Sequence, residues 1–376
     1  MIFKKFADLK LSSLGMGCMR LPTKGSNSEI DIDASREMIA YAMKNGVNYY
    51  DTAWGYHGGQ SEIVMGELLK EYPRDSFYLA SKFPGYDLSN MGKVEEIFEK
   101  QLEKCQVDYF DFYLFHSVSE GNIDAYLDRS NRIYEYLCEQ KKNGRIRHIG
   151  FSTHGTLETV KRFLDAYGDI IEFCQIQLNW LDWDYQKANE KVRLMNELNI
   201  PIWVMEPVRG GGLCRLAPKY ADKLHAIAPE RTFAEWAFRY LQMIDGVTVT
   251  LSGMSDFEQL KQNIHTFSDY KPLTDEEIAA LYDIAYEMTH RKSVPCTACR
   301  YCTDHCPMEL DIPWLIELYN EHSYSSGGYI ATKALEDVDD AKKPSACIGC
   351  HACEAVCPQN IKITDMMQDF TSKLRR

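Results

Sequence analysis

Residues 77–116 read FYLASKFPGYDLSNMGKVEEIFEKQLEKCQVDYFDFYLFH. Two short apolar runs, 77–83 and 110–116, bracket a stretch at 94–105 with helical periodicity. The alternation continues in both directions. Further β-rich runs are LSSLGMGCM (11–19), VNYYDTA (47–53), IRHIGFS (146–152), EFCQIQL (172–178), IPIWVME (200–206) and GVTVTLS (246–252). Helical stretches such as ASREMIAYAMKNG (34–46) and SNRIYEYLCEQKKNG (130–144) end in Asn-Gly, a stop signal. Near-continuous apolar strands separated by helices predict a parallel sheet covered on both faces. Eight such units in about 265 residues predict a closed (β/α)₈ TIM barrel. An open doubly wound sheet is the competitor, but no GxGxxG opens the first helix, and polar residues cluster after the second, third and fourth strands.

The segment TDEEIAALYDIAYEM (274–288) predicts one more helix, with Thr274 and Glu277 forming a capping box. Composition then changes abruptly at SVPCTACRYC (293–302), which places a domain boundary near Arg291 and divides the chain into 1–290 and 291–376. Of the 376 residues, 42 are Lys or Arg and 55 are Asp or Glu, a formal net charge of −13. That sign disfavours nucleic acid and anionic membrane as partners. No apolar run approaches the roughly 20 residues of a membrane span. The start, MIFKKFADLKLSSLGMG, lacks the apolar core of a signal peptide, so a cytoplasmic protein is expected.

Thirteen cysteines is an abnormal count, and eight of them fall between Cys296 and Cys357. They form two motifs of identical spacing, Cys296, Cys299, Cys302, Cys306 and Cys347, Cys350, Cys353, Cys357, each followed by proline. C-x₂-C-x₂-C-x₃-C-P is the spacing of two-cluster bacterial ferredoxins, in which the fourth cysteine of each motif serves the other cluster. Two [4Fe–4S] clusters are therefore expected, one on Cys296, Cys299, Cys302 and Cys357, the other on Cys347, Cys350, Cys353 and Cys306. Structural zinc takes separated CxxC pairs, and disulfides between such near neighbours would be strained. The linker of 40 residues between the motifs contains two helical patterns, DIPWLIELYNEH (311–322) and YIATKALEDV (329–338). A small, mainly helical domain results, similar to the helical ferredoxin domains of larger electron-transfer complexes. The remaining cysteines (18, 105, 138, 174 and 214) read as small buried hydrophobes.

Within the barrel, DTAWGYHGGQSE (51–62) ends the second strand with Asp51 and opens the next loop with Tyr56. ASKFP puts Lys82 at the carboxyl end of the third strand, and LFHS puts His116 at that of the fourth. Active sites of such barrels gather at this face. Here the sequence resembles the aldo-keto reductase family over roughly residues 1–270, whose tetrad is Asp, Tyr, Lys and His in these motif contexts. A carbonyl that accepts hydride must also be protonated. A tyrosine with its pKa near 10 is a sluggish acid until an adjacent ammonium stabilises its phenolate. The resemblance assigns that ammonium to Lys82, the acid to Tyr56, the support of Lys82 to Asp51, and a hydrogen bond to the substrate oxygen to His116.

The resemblance further implies a nicotinamide cofactor. Ser152, Thr153 and Gln175 match the positions that hold the carboxamide, and Met205, followed by Pro207, stands where many members stack an aromatic ring. Arg209 with Gly210, Gly211 and Gly212 would meet the pyrophosphate. Gly253, Met254, Gln259 and Asn263 occupy the adenosine-phosphate segment. NADP-preferring members carry Lys and Arg where Gly253 and Gln259 stand. A 2′-phosphate would be left with helix-start N–H groups and Lys261, and NAD versus NADP stays open. Trp54, Phe83, Trp180 and Trp183 are candidates for the substrate wall. The expected activity is NAD(P)-dependent reduction of an aldehyde or ketone, or oxidation of the alcohol, on a small-molecule substrate. Two alternatives are an iron–sulfur electron-transfer protein exchanging electrons with a flavoprotein or ferredoxin, and a barrel retained as a binding subunit. The intact tetrad argues against the last.

Overall fold

A computed structural model describes residues 1–25, 29–291, 294, 296, 299–324, 329–336 and 338–375. The chain divides into two compact units, one of residues 1–207 and 234–273, the other of 208–233 and 274–376. The expected boundary near Arg291 thus falls inside the second unit, which also takes in the helix Asp275–Arg291.

The first unit holds a closed barrel of eight parallel strands: β3 (Leu14–Gly17), β4 (Tyr49–Asp51), β5 (Tyr78–Phe83), β6 (Phe110–Val118), β7 (Ile146–Thr153), β8 (Phe173–Gln177), β9 (Ile202–Met205) and β10 (Val247–Ser252). Sequential neighbours pair, and β10 closes on β3 through Thr250 opposite Leu14. These strands are buried along most of their length, which is why they read as apolar runs rather than alternating ones. Helices such as Ile32–Lys44, Val94–Cys105 and Leu157–Tyr167 pack outside, each burying one apolar stripe.

Two strands precede the barrel. β1 (Phe3–Phe6) and β2 (Leu9–Ser12) form an antiparallel hairpin. Its Phe6 ring lies 5.6 Å from Phe112, 5.1 Å from Trp203 and 5.0 Å from His148, among side chains of the barrel interior. The hairpin was not expected from sequence, because its turn at Ala7, with φ of 49°, carries no glycine or asparagine.

In the second unit the capping box forms: Thr274 N donates to Glu277 Oε2 at 2.9 Å, and Glu277 N donates to Thr274 Oγ1 at 3.3 Å. Helices Ile312–Tyr324, Tyr329–Glu336 and Ile363–Leu374 surround a core of Leu315, Ile316, Ala331, Leu335, Met367 and Phe370. No strand occurs among the described residues of this unit.

Phe6→Ala removes an aromatic plug that is 6% exposed and far from the carboxyl ends of the strands. It should cost about 3–5 kcal/mol in chemical denaturation while leaving turnover per folded molecule unchanged. A loss within about 0.5 kcal/mol, the range of surface substitutions, would show that the hairpin does not close the barrel.

Candidate active site

Lys82 and Asp51 meet at the carboxyl ends of adjacent strands. Lys82 Nζ donates to Asp51 Oδ1 at 2.6 Å and to the Thr52 carbonyl at 2.8 Å. The ammonium is fully buried, so these acceptors take the place of water. Burial pushes the Asp51 carboxyl upward and the Lys82 charge opposes that shift. Asp51 Oδ2 has no hydrogen-bond partner among the described residues.

Tyr56 opens a short 3₁₀ turn, Tyr56–Gly59, directly after β4. Lys82 Nζ lies 5.0 Å from the centre of its ring, and the His116 ring stands edge-on at 6.1 Å. The phenol therefore sits between a buried cation and an imidazole. His57, next in sequence, is buried and turned away to accept from Leu21 N at 3.1 Å.

His116 is aimed by a bulge. Pairing between β6 and β7 slips between Phe115 and Val118, and Ser117 takes φ of 56°. The irregular backbone is tied down on several sides. Ser117 N donates to Ser152 Oγ (2.8 Å), Asn122 Nδ2 to the Ser117 carbonyl (2.9 Å), and Tyr126 OH to the His116 carbonyl (2.8 Å). Burial, reinforced by the Lys82 charge, holds the His116 imidazole well below its ordinary range, so it is neutral near pH 7. Its Nδ1 is shielded from solvent and unpartnered among the described residues.

Sequence reasoning missed Tyr86. Its ring stands edge-on to His116 at 5.1 Å, and a Cβ on Gly55 would fall 2.5 Å from its hydroxyl. No periodicity marks a loop residue that reaches back over the site. Of the expected wall residues, Phe83 and Trp180 are buried as packing, while Trp54 and Trp183 are half-buried.

The expected cofactor residues are placed unevenly. Thr153 Oγ1 donates to the Val118 carbonyl (2.7 Å) and accepts from Gly155 N (2.9 Å), so its hydroxyl is engaged twice within the chain. Gln175 Nε2 contacts Met205 Sδ at 3.7 Å, whereas its Oε1 is buried and unpartnered among the described residues. Pro207 is buried beyond Met205. Arg209 differs from expectation: its buried guanidinium pairs with Glu321 of the same unit instead of standing open for a pyrophosphate. Gly210 and Gly211 follow with φ of 62° and 89°, left-handed geometry that glycine permits. A side chain on Gly253 would meet Arg20, whose Cγ lies 2.7 Å from the would-be Cβ. At the start of the helix Phe257–Thr266, Ser255 N donates to Gln259 Oε1 and Gln259 N to Asp256 Oδ1, both at 2.9 Å. Those donors are already satisfied by the chain itself, and Lys261 lies 3.9 Å from Glu258. Met254 is buried, and Asn263 Nδ2 donates to Ser252 Oγ at 3.1 Å.

The eight clustered cysteines fall into two cavities. One is lined by Cys296, Cys299, Cys302 and Cys357, the other by Cys347, Cys350, Cys353 and Cys306. Each set combines three thiols of one motif with the fourth of the other. Among the described residues no three His, Cys, Asp or Glu side chains converge to hold a single metal ion. Of the scattered cysteines, Cys18, Cys105 and Cys174 are buried, and Cys138 and Cys214 are half-buried.

Residues 13–285 match the family model described as Aldo/keto reductase family, and residues 295–361 match that of a 4Fe-4S dicluster domain. The uncharacterized oxidoreductase YqkF of Bacillus subtilis is 25% identical over 304 residues, covering 73% of this chain and 93% of that protein. The NADH-specific methylglyoxal reductase of Escherichia coli is 26% identical over 222 residues, covering 54% and 66%. Among solved structures, the holo form of aldo-keto reductase AKR11C1 from Bacillus halodurans matches with a TM-score of 0.62 and 27% identity, covering 76% of this chain and 96% of that one. This chain is an oxidoreductase and belongs to the aldo/keto reductase family, with a 4Fe-4S dicluster domain after its barrel.

Proposed function

We propose that the protein interconverts an aldehyde or ketone and the corresponding alcohol, with Tyr56 as the group that gives and takes the proton. The observation that carries this reading is the buried Lys82 ammonium, held by Asp51 and lying 5.0 Å from the centre of the Tyr56 ring. A cation so placed favours the phenolate, which brings the phenol's acidity toward the working pH. His116, kept neutral by burial, donates to the carbonyl oxygen and polarises it without bringing a second charge. As the oxygen gains electron density, the Tyr56 proton moves to it, and the phenolate is held by Lys82.

A bound nicotinamide dinucleotide would supply the hydride. Gln175 Oε1, a buried acceptor without a partner among the described residues, suits the donor end of its carboxamide. Ser152, which accepts from Ser117 N, retains its own hydroxyl hydrogen to offer. Gly253, Met254, Gln259 and Asn263 would flank the adenosine end, with Met205 and Pro207 beside the nicotinamide. The eight cysteines would hold two [4Fe–4S] clusters in the crossed pattern of their cavities, a donor set that fits cubanes, each thiolate binding a different iron. Cys299 and Cys350 are exposed, one in each set, which favours a second reading: electron exchange with an outside flavoprotein or ferredoxin.

Tyr56→Phe should lower carbonyl reduction by at least about a hundredfold with little change in nicotinamide binding, since general acid catalysis contributes roughly 10²–10⁴. Near-full activity would remove Tyr56 from the chemistry. Cys357→Ala should disturb the cluster in the Cys296 cavity rather than the one beside it in sequence. Resonance Raman or electron paramagnetic resonance damage confined to the Cys347 set would overturn the crossed pattern. Hydride carries two electrons and each cubane takes one, so reduced nicotinamide alone should not rapidly bleach the clusters of the flavin-free protein. Anaerobic stopped-flow absorbance reads this directly, and fast bleaching without a mediator would put electron transfer first.

A further inference from the structure

Glu62 closes the DTAWGYHGGQSE segment and has no exposed surface, yet none of the roles above uses it. A carboxylate at that depth costs several kcal/mol unless it is fully partnered. Its partners all lead back to the active site. Glu62 Oε1 accepts from Ser81 Oγ at 2.7 Å and from Gln101 Nε2 at 2.6 Å. The same Gln101 Nε2 lies 3.0 Å from the carbonyl of Lys82, and Gln101 Oε1 accepts from Tyr113 OH at 2.6 Å. Glu62 Oε2 pairs with Lys104 Nζ at 3.3 Å, and that ammonium sits 3.9 Å from the ring centre of Trp54, two residues before Tyr56. The helices Ser61–Leu69 and Val94–Cys105 bring these groups together because Gly66 lets them touch: a Cβ there would fall 2.4 Å from the Lys104 carbonyl.

We propose that Glu62 is a positioning residue, a buried carboxylate that clamps the backbone of Lys82 through Gln101 and the Tyr56 loop through Lys104 and Trp54. The inference rests on the assignment of Tyr56 and Lys82 to proton transfer. One side of the clamp fixes the peptide from which the Lys82 side chain springs. The other fixes the loop that carries the phenol. Their separation sets the acidity of Tyr56, so Glu62 governs the chemical step without touching substrate.

The test uses Glu62→Gln, Lys104→Met and the double variant in the full-length protein loaded with its clusters. Glu62→Gln keeps the acceptor for Ser81 and Gln101 but removes the counter-charge of Lys104. Each single change should lower kcat for carbonyl reduction roughly ten- to hundredfold, the scale of a misplaced catalytic group. KM for the nicotinamide, and its dissociation constant from fluorescence quenching, should stay within about twofold. The double variant should be no slower than the worse single one, as expected of groups acting as a unit. Unchanged kcat per folded molecule with a lowered Tm would reduce Glu62 to a structural ion pair and overturn the proposal. Additive losses would overturn it too, because the two arms would then act separately. If Glu62→Gln does not fold, Lys104→Met carries the test, since that side chain retains 16% exposure at the rim. Full activity of Tyr56→Phe would sink the parent assignment, a result independent of the Glu62 outcome.

Discussion

An ammonium group with no exposed surface is tolerable only where fixed oxygen atoms replace its hydration. Lys82 finds them in Asp51 Oδ1 and the Thr52 carbonyl, both supplied by the neighbouring strand end. The arrangement requires two parallel strands in register, and β4 and β5 meet that need with Asp51 opposite Ala80, two residues before Lys82. The barrel is thus a precondition of the ion pair. The pair in turn anchors the chain at Thr52, from which the Tyr56 turn departs. Breaking one partner would leave the other charge buried and uncompensated, which is far more costly than replacing both.

The same face also carries a stretch of irregular backbone. Ser117 in the left-handed region is an unfavourable conformation for a serine, held by a hydrogen bond to Ser152 of β7 and one from Asn122 in the loop after β6. Strained geometry of this kind persists where surrounding contacts over-determine it, and it occurs here at the residue that follows the site imidazole. The opposite end of the barrel is filled with rings, among them Tyr49, Phe112, Phe173 and Trp203, and it has a pairing slip of its own where β10 meets β9 between Val247 and Val249. A packed floor and a shaped rim come from one set of strands.

The eightfold strand–helix alternation was legible because buried parallel strands leave short apolar runs, and stretches of helical periodicity with stop signals separate them. The proximity of Asp51, Tyr56, Lys82 and His116 was legible because Asp51 and Tyr56 share one motif, and Lys82 and His116 each lie near the end of a recognisable strand. The crossed cysteine sets were expected from the two-cluster ferredoxin motif, and the same eight cysteines line two cavities in those groupings. What escaped depends on contacts distant in sequence. The hairpin turn at Ala7 and Asp8 lacks the glycine or asparagine usual in a two-residue hairpin, the slip at Ser117 has no composition cue, and Tyr86 reaches the site from a loop. Arg209 shows the limit most clearly: beside three glycines it reads as an anion ligand, and only its pairing with Glu321, 112 residues away, reveals the other use.

Barrel closure has a consequence for how the chain is made. β3 ends at Gly17, and its second neighbour, β10, begins only at Val247. At about 5–20 residues per second, a ribosome needs on the order of ten to fifty seconds to span that gap. Throughout that interval the first barrel strand has an unpaired edge, and the growing sheet cannot close. Such edges template aggregation. The nascent chain therefore needs shelter from its own kind for the better part of its synthesis, and the iron–sulfur segment emerges only after the barrel has been completed.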